Sequence, residues 1–404
     1  MTSHDVPTRR ILATATVIAG LVLAACGGSD GGPEGRPVTP ESTTTTTEAP
    51  IRPDDDLRLN EIQVLGTHNS FHVAPDPAEL ALLAAMDQAA ADERGYTHQS
   101  LGVQLGRQQI RQIELDIFVD KTGGTYATPD LRTRAGLDPY IEEMPEMAEP
   151  GSKVMHEQDV DYRTVCPTVV SCLAEVREWS DANPGHVPVA IQIQFKDGPL
   201  IFPVEDQVKP ERWTGPNMDL LDAEILSVFD RDQVITPDDV RGSRMTLEGA
   251  ILEDGWPTLG ESRGKVMFVI GNGEPYRTLY LDRYENLVGR VMFTNAEPGQ
   301  SDASFMNVDN PVGNEERIRE LVELGYIVRT RADSPNEEGR TGDTTRREAA
   351  LASGAQWVGT DYPAPDSAKE QYGTDYEVVL PGGFPARCNP VTAPATCKDV
   401  AVEP

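Results

Sequence analysis

From residue 62 onward the chain alternates short apolar runs with longer segments in which apolar residues recur at helical spacing. The runs Ile62 to Thr67, Gln112 to Val119, Lys153 to His156, Val187 to Phe195, Lys265 to Ile270, Val291 to Asn295, Tyr326 to Thr330 and Gln356 to Thr360 predict eight strands. Among the predicted helices are Pro77 to Ala91, and Thr168 to Ala182 with Val169, Leu173, Val176 and Trp179 on one face. Two more are Glu315 to Leu324, stopped by Gly325, and Thr344 to Ser353, opened by Asp343 as N-cap and stopped by Gly354. This alternation predicts an α/β chain folded as a (β/α)8 TIM barrel, with insertions at Lys121 to Gly151 and Asp197 to Trp213. A doubly wound open sheet is the alternative. No Gly-rich fingerprint opens a helix after the first strand, which counts against it.

The pattern is different at both ends. Arg9-Arg10 precede an apolar stretch, Ile11 to Ala25, followed by Leu23-Ala24-Ala25-Cys26-Gly27, which resembles the lipobox of bacterial lipoproteins. The stretch is too short and Ala-rich for a spanning helix and reads as an export signal removed on processing, residues 1–26 comprising the signal and the lipobox Cys that begins the mature chain. Cys26 would then carry a lipid and anchor the protein on the outer face of the cytoplasmic membrane; an ordinary cleaved signal would leave it secreted. Residues 27–53, rich in Gly and Pro with a Thr43 to Thr47 block, bury too little to offset their ordering entropy and predict a disordered tether. The barrel is expected over 54–365, and 366–404 as an irregular extension with a solvent-exposed acidic end.

Composition narrows the partners. Among 404 residues, 35 basic side chains face 66 acidic ones, a formal net charge of −31. Phosphate backbones need a positive face, so no nucleic-acid partner is expected, and broad adsorption to anionic membranes is opposed. A phosphate-bearing substrate must be held locally, by a few Arg or Lys side chains or a bound cation. Apart from Cys26 the cysteines fall as Cys166/Cys172 and Cys388/Cys397. Four cysteines allow three pairings; local bridges are the simplest in an oxidising compartment, and neither pair has zinc-site spacing.

Polar residues recur at the predicted strand ends. His68 and Asn69 end the first strand, Glu114 and Asp116 share a face of the second by the two-residue period, His156 ends the third, and Gln194 and Lys196 share a face of the fourth. Singly, each has an ordinary reading as a loop cap, a solvated edge or a snorkelling Lys. Together, at one end of a barrel, they read as acid-base groups beside oxygen ligands for a hard cation.

From Leu57 to about Pro363 the sequence resembles the calcium-dependent bacterial phosphoinositide phospholipases C, of the PLC-like phosphodiesterase barrel type. The motifs are Gly66-Thr67-His68-Asn69-Ser70, Glu114-Leu115-Asp116, His156, Phe195-Lys196-Asp197, Arg329-Thr330-Arg331-Ala332-Asp333 and Gly359-Thr360-Asp361-Tyr362-Pro363. The resemblance implies attack of the inositol 2-hydroxyl on a phospholipid phosphodiester, giving a cyclic inositol phosphate and diacylglycerol. It implies His68 and His156 as acid-base catalysts, Asn69, Glu114 and Asp116 as Ca2+ ligands, Lys196 and Arg331 on phosphate or inositol oxygens, and Tyr362 against the sugar ring. The sequence departs from the family at Gln194, where a further calcium-ligating Glu is usual; an amide oxygen can ligate but carries no charge.

Other readings are a glycerophosphodiester phosphodiesterase or sphingomyelinase D on the same barrel, and a non-catalytic binding lipoprotein. The first usually follows its leading His with Arg-Gly, whereas His68 is followed by Asn69-Ser70. The second is favoured by Gln194 and opposed by the retained His and Glu-x-Asp residues. A glycosidase using Glu114 and Glu157 leaves both strand-end His without a role. The sequence carries no signal for oligomerisation and does not fix the head group.

Overall fold

The computed structural model describes residues 52–200, 202, 207–334 and 336–403, so the predicted signal, Cys26 and nearly all of the tether lie outside the described residues. Eleven strands are formed: β1 Ile62–Thr67, β2 Gln112–Phe118, β3 Lys153–Val154, β4 Val189–Phe195, β5 Val234–Ile235, β6 Val266–Ile270, β7 Met292–Phe293, β8 Phe305–Asn307, β9 Ile327–Arg331, β10 Trp357–Thr360 and β11 Ala386–Cys388. Parallel pairing runs β8-β9-β10-β1-β2-β4-β6, then to β7. A parallel bridge between Asn295 and Phe305 joins the end of β7 to β8, closing a ring of parallel strands. This is the expected α/β barrel, with helices such as Val169–Ala182, Gly215–Val228 and Glu315–Glu323 between strands.

The longer staves form as the sequence dictates. In β2, Ile113, Leu115 and Ile117 are fully buried in the apolar layer that also takes Val169, Leu173 and Val176 of the helix. The alternate residues Gln112, Glu114 and Asp116 turn to the barrel interior, and β4 repeats the arrangement with Ile191 and Ile193 outside, Gln192 and Gln194 inside. The interior is thus polar toward the C-terminal end of the strands, and it needs space. Gly66 and Gly359 face each other in register. A Cβ on Gly66 would lie 1.9 Å from Gln112 Oε1, and one on Gly359 3.2 Å from Arg329 Nη2. The two glycines of the Gly-Thr motifs are there to admit those side chains.

Three predictions are corrected. The run Lys153 to His156 is not a barrel stave: β3 lies antiparallel to the end of β2, with Ile117 opposite Val154. Lys153 is fully buried against Asp120 at 3.3 Å, which is why a Lys begins an otherwise apolar run. The eighth stave is instead β8, whose three residues are too short to show a period, as are the two of β5. The predicted helix Pro77 to Ala91 breaks at Asp87, whose side chain accepts from the Ala89 and Ala90 N–H groups and caps a second helix.

The extension beyond 365 is more integral than expected. β11 runs antiparallel to β1, with Ile62 opposite Cys388. Glu403, expected in solvent, is buried; it accepts from Arg111 Nε at 3.0 Å and from the Val187 N–H at 2.9 Å. The cysteines pair locally, Cys166 with Cys172 and Cys388 with Cys397. Among the described residues no helix is long and apolar enough to cross a membrane.

Candidate active site

A cavity of about 230 Å³ opens at the C-terminal end of the strands. Its walls are His68 and Asn69 after β1, Glu114 and Asp116 on β2, His156 after β3, Gln194 and Lys196 from β4, Asn272 after β6, Asp309 after β8, and Arg329 and Arg331 on β9. Every sequence-predicted site residue from His68 to Arg331 is therefore brought to one place. Tyr362 is not: it is 4% exposed, with its ring 5.8 Å from that of Tyr376, and it lines a neighbouring cleft with Tyr96 and His98. Stacking of Tyr362 on a sugar ring in the catalytic cavity is accordingly withdrawn.

Each imidazole has a carboxylate behind it. His68 Nδ1 lies 3.0 Å from Asp361 Oδ1. Because a carboxylate accepts, Nδ1 holds the proton and Nε2 is left bare. Burial, and then the nearby Arg331 charge, lower the His68 pKa against the opposing pull of Asp361, so the ring is neutral at neutral pH. Asp361 also takes Arg331 Nη2 at 2.9 Å. Burial would raise its pKa, but His68 and Arg331 outweigh that and hold it well below the ordinary carboxylate range. The neighbouring Asp333 is pushed up to about 7, by burial and by the Asp361 charge. His156 Nδ1 meets Asp161 Oδ2 at 2.7 Å, so Nε2 is the ring nitrogen left for the cavity.

The same cavity holds a lattice of opposite charges. Glu114 Oε2 pairs with Arg329 Nη2 at 2.5 Å, and Arg329 also pairs with Asp309. Asp116 Oδ2 pairs with Lys196 Nζ at 2.8 Å, and this carboxylate raises the Lys196 pKa against the effect of burial. Asn69 sits at φ 45°, a left-handed conformation that Asn tolerates better than most side chains, and its Nδ2 donates to the Tyr96 hydroxyl at 3.2 Å. That hydrogen bond leaves the Asn69 amide oxygen for the cavity.

The donor set fits a hard cation. Asp116 Oδ1 is buried with no hydrogen-bond partner, and an orphaned carboxylate oxygen of this kind asks for a positive partner. The predicted ligands supply two carboxylates and two amide oxygens, with Asp309 and Asn272 on the same cavity wall, and among the described residues no cluster of three or more His, Cys, Asp or Glu is placed to hold a metal.

Five residues of this site had no role from the sequence. Arg329 and Asp361 lie inside the matched motifs but carry no distinguishing spacing. Asn272 and Asp309 follow a strand and a three-residue bridge partner, and Asp161 lies on a loop with no periodic signal.

Two imidazoles backed by carboxylates, in one cavity with paired carboxylates and cations at the mouth of a parallel barrel, define a barrel phosphodiesterase. The profile of the family described as phosphoinositide phospholipase C, Ca2+-dependent, matches residues 57–390, and the chain belongs to that family. The family is a Ca2+-dependent one, and its enzymes are phosphoric diester hydrolases. Among solved structures, the calcium-dependent phosphoinositol-specific phospholipase C of a Pseudomonas species is similar at 16% identity and TM-score 0.50, over 83% of this chain and 96% of that one. Its myoinositol complex aligns over 84% and 99% at the same score and identity. A Ca2+-dependent phosphatidylinositol-specific phospholipase C from Streptomyces antibioticus is similar at 16% identity and TM-score 0.50, over 77% and 97%. These likenesses support the fold. No curated protein matches the chain.

Proposed function

We propose that this protein cleaves phosphatidylinositol-type lipids by intramolecular attack of the inositol 2-hydroxyl on phosphorus. The carrying observation is the pair of imidazoles lining one cavity with Glu114 and Asp116, each oriented by its own carboxylate through Nδ1 so that Nε2 is left for the substrate. His68, neutral at neutral pH, takes the 2-hydroxyl proton. The new bond from O2 to phosphorus forms as the bond from phosphorus to the glycerol oxygen breaks. His156 gives that oxygen its proton from Nε2, releasing diacylglycerol and a cyclic inositol phosphate. Lys196 and Arg331 orient the phosphate and ring oxygens. A Ca2+ ion, when bound, neutralises charge developing on the phosphoryl oxygens. Asn69, Glu114, Asp116 and Gln194 are the residues that would hold it. Incubation with a panel of phospholipid head groups, read by phosphorus NMR with and without chelator, is expected to show a cyclic inositol phosphate formed only when Ca2+ is available. A non-cyclic first product, or preference for a glycerophosphodiester or sphingomyelin, would sink this reading.

The same proposal includes export. The segment before residue 27 resembles a lipoprotein signal, and a diacylated Cys26 on the tether would hold the barrel beside its bilayer substrate. Cys26→Ser is expected to move the protein from the membrane fraction to the medium or to leave it unprocessed. Unchanged fractionation would count against the anchor.

A further inference from the structure

The two catalytic imidazoles belong to separate loops, and a buried contact between His72 and Asp161 ties these loops together. His72, on the loop that begins with His68, is fully buried. Its Nδ1 faces the Tyr96 carbonyl at 3.0 Å and its Nε2 faces Asp161 Oδ1 at 2.8 Å. Both ring nitrogens thus meet fixed oxygens, which leaves the ring no freedom to turn. The ring is stacked on Tyr96 with 4.3 Å between centroids, and its backbone N–H donates to the Asn69 carbonyl at 2.8 Å. Asp161 has its other oxygen on His156 Nδ1 and lies 3.4 Å from Arg94 Nε. Arg94 is itself paired with Glu157 at 2.7 Å. A single buried carboxylate therefore grips the second catalytic ring with one oxygen and the first catalytic loop with the other.

We propose that His72 and Asp161 form a positioning latch that fixes the loop of His68 against the loop of His156 and so sets the distance between base and acid. The latch rests on the reading of His68 and His156 as that base and acid. Neither His72 nor Asp161 touches substrate; both act through the rings they hold. The step they serve is sensitive to small displacements, since an error of about 1 Å in a reacting group can lower a rate by about a hundredfold. A pair present only for stability would leave turnover unchanged once the protein is folded.

The variant that separates these cases is His72→Leu, because Asp161 then keeps His156 and Arg94 as partners and its charge stays paired. In the folded protein kcat is expected to fall by about ten- to a hundredfold with KM within about twofold of wild type. On a His156→Ala background the same change is expected to cost nothing further, since no acid is left to position. A folded His72→Leu enzyme with wild-type kcat overturns the latch, as does an undiminished loss on the His156→Ala background. Should His72→Leu not fold, the imidazole nitrogen-proton NMR spectrum of the wild type decides. A hydrogen-bonded Nε2 proton on His72, lost or shifted in Asp161→Asn, supports the latch, and a bare Nε2 refutes it. If His156→Ala itself turned over normally, the failure would lie in the acid assignment, which that single variant reveals separately.

Discussion

His68→Ala and His156→Ala each lower turnover by about 100- to 10,000-fold, the range of a general acid-base group, while the barrel stays folded. Both side chains stand at the mouth, 21% and 25% exposed, so their removal opens no cavity in the apolar core. The pH dependence assigns the roles. A base must be neutral to accept, and the His68 pKa is lowered by burial and Arg331, so kcat/KM rises with pH through a midpoint below 6.5. His68→Ala removes that limb along with the activity. Steady-state kinetics with circular dichroism as the folding control checks this. Near wild-type turnover from either variant makes that His structural and requires the mechanism to be redrawn.

Glu114→Gln and Asp116→Asn are expected to abolish Ca2+ binding and metal-dependent turnover, whereas Gln194→Glu tightens binding in the free protein by about tenfold or more. Each carboxylate offsets part of the hydration the ion gives up, and here both are already engaged, Glu114 by Arg329 and Asp116 by Lys196. Of these two carboxylates, only Asp116 has an oxygen, Oδ1, that is buried without a hydrogen-bond partner. Wild-type affinity is therefore expected to be weak until a substrate phosphate adds its oxygens and draws the cations away. Calorimetric titration of Ca2+ into the wild type and the three variants measures it. If Gln194→Glu binds no more tightly, Gln194 does not touch the ion. If wild-type turnover survives chelation, Arg329, Arg331 and Lys196 neutralise the phosphate without a metal.

What could be read from the chain follows from which structures carry a period. β2 and β4 span seven residues each, long enough for alternation to show both the buried outer face and the polar inner one, so the sequence alone places Glu114, Asp116, Gln194 and Lys196. β8 and β5 pair through two or three residues and leave no such trace. Lys153 to His156 has the composition of a stave but spends it on a flap, and only the buried Lys153–Asp120 pair explains the departure. Asp361 and Asp161 escaped for another reason. Their roles exist only across space, through 3.0 and 2.7 Å contacts to rings, and a carboxylate in a loop looks the same in sequence whether or not a ring lies over it.

The pairing of β11 with β1 and the grip of Glu403 on Arg111 bear on how the protein reaches this form. A ribosome delivers β1 first and residues 386–403 more than three hundred residues later, so the lower edge of the opening strand stays uncovered until nearly all of the described chain has been made. Arg111, meanwhile, has no Glu403 to meet. Such distant closure is intrinsically slow, and the opening strand is sealed by a final lock that only the late residues can turn.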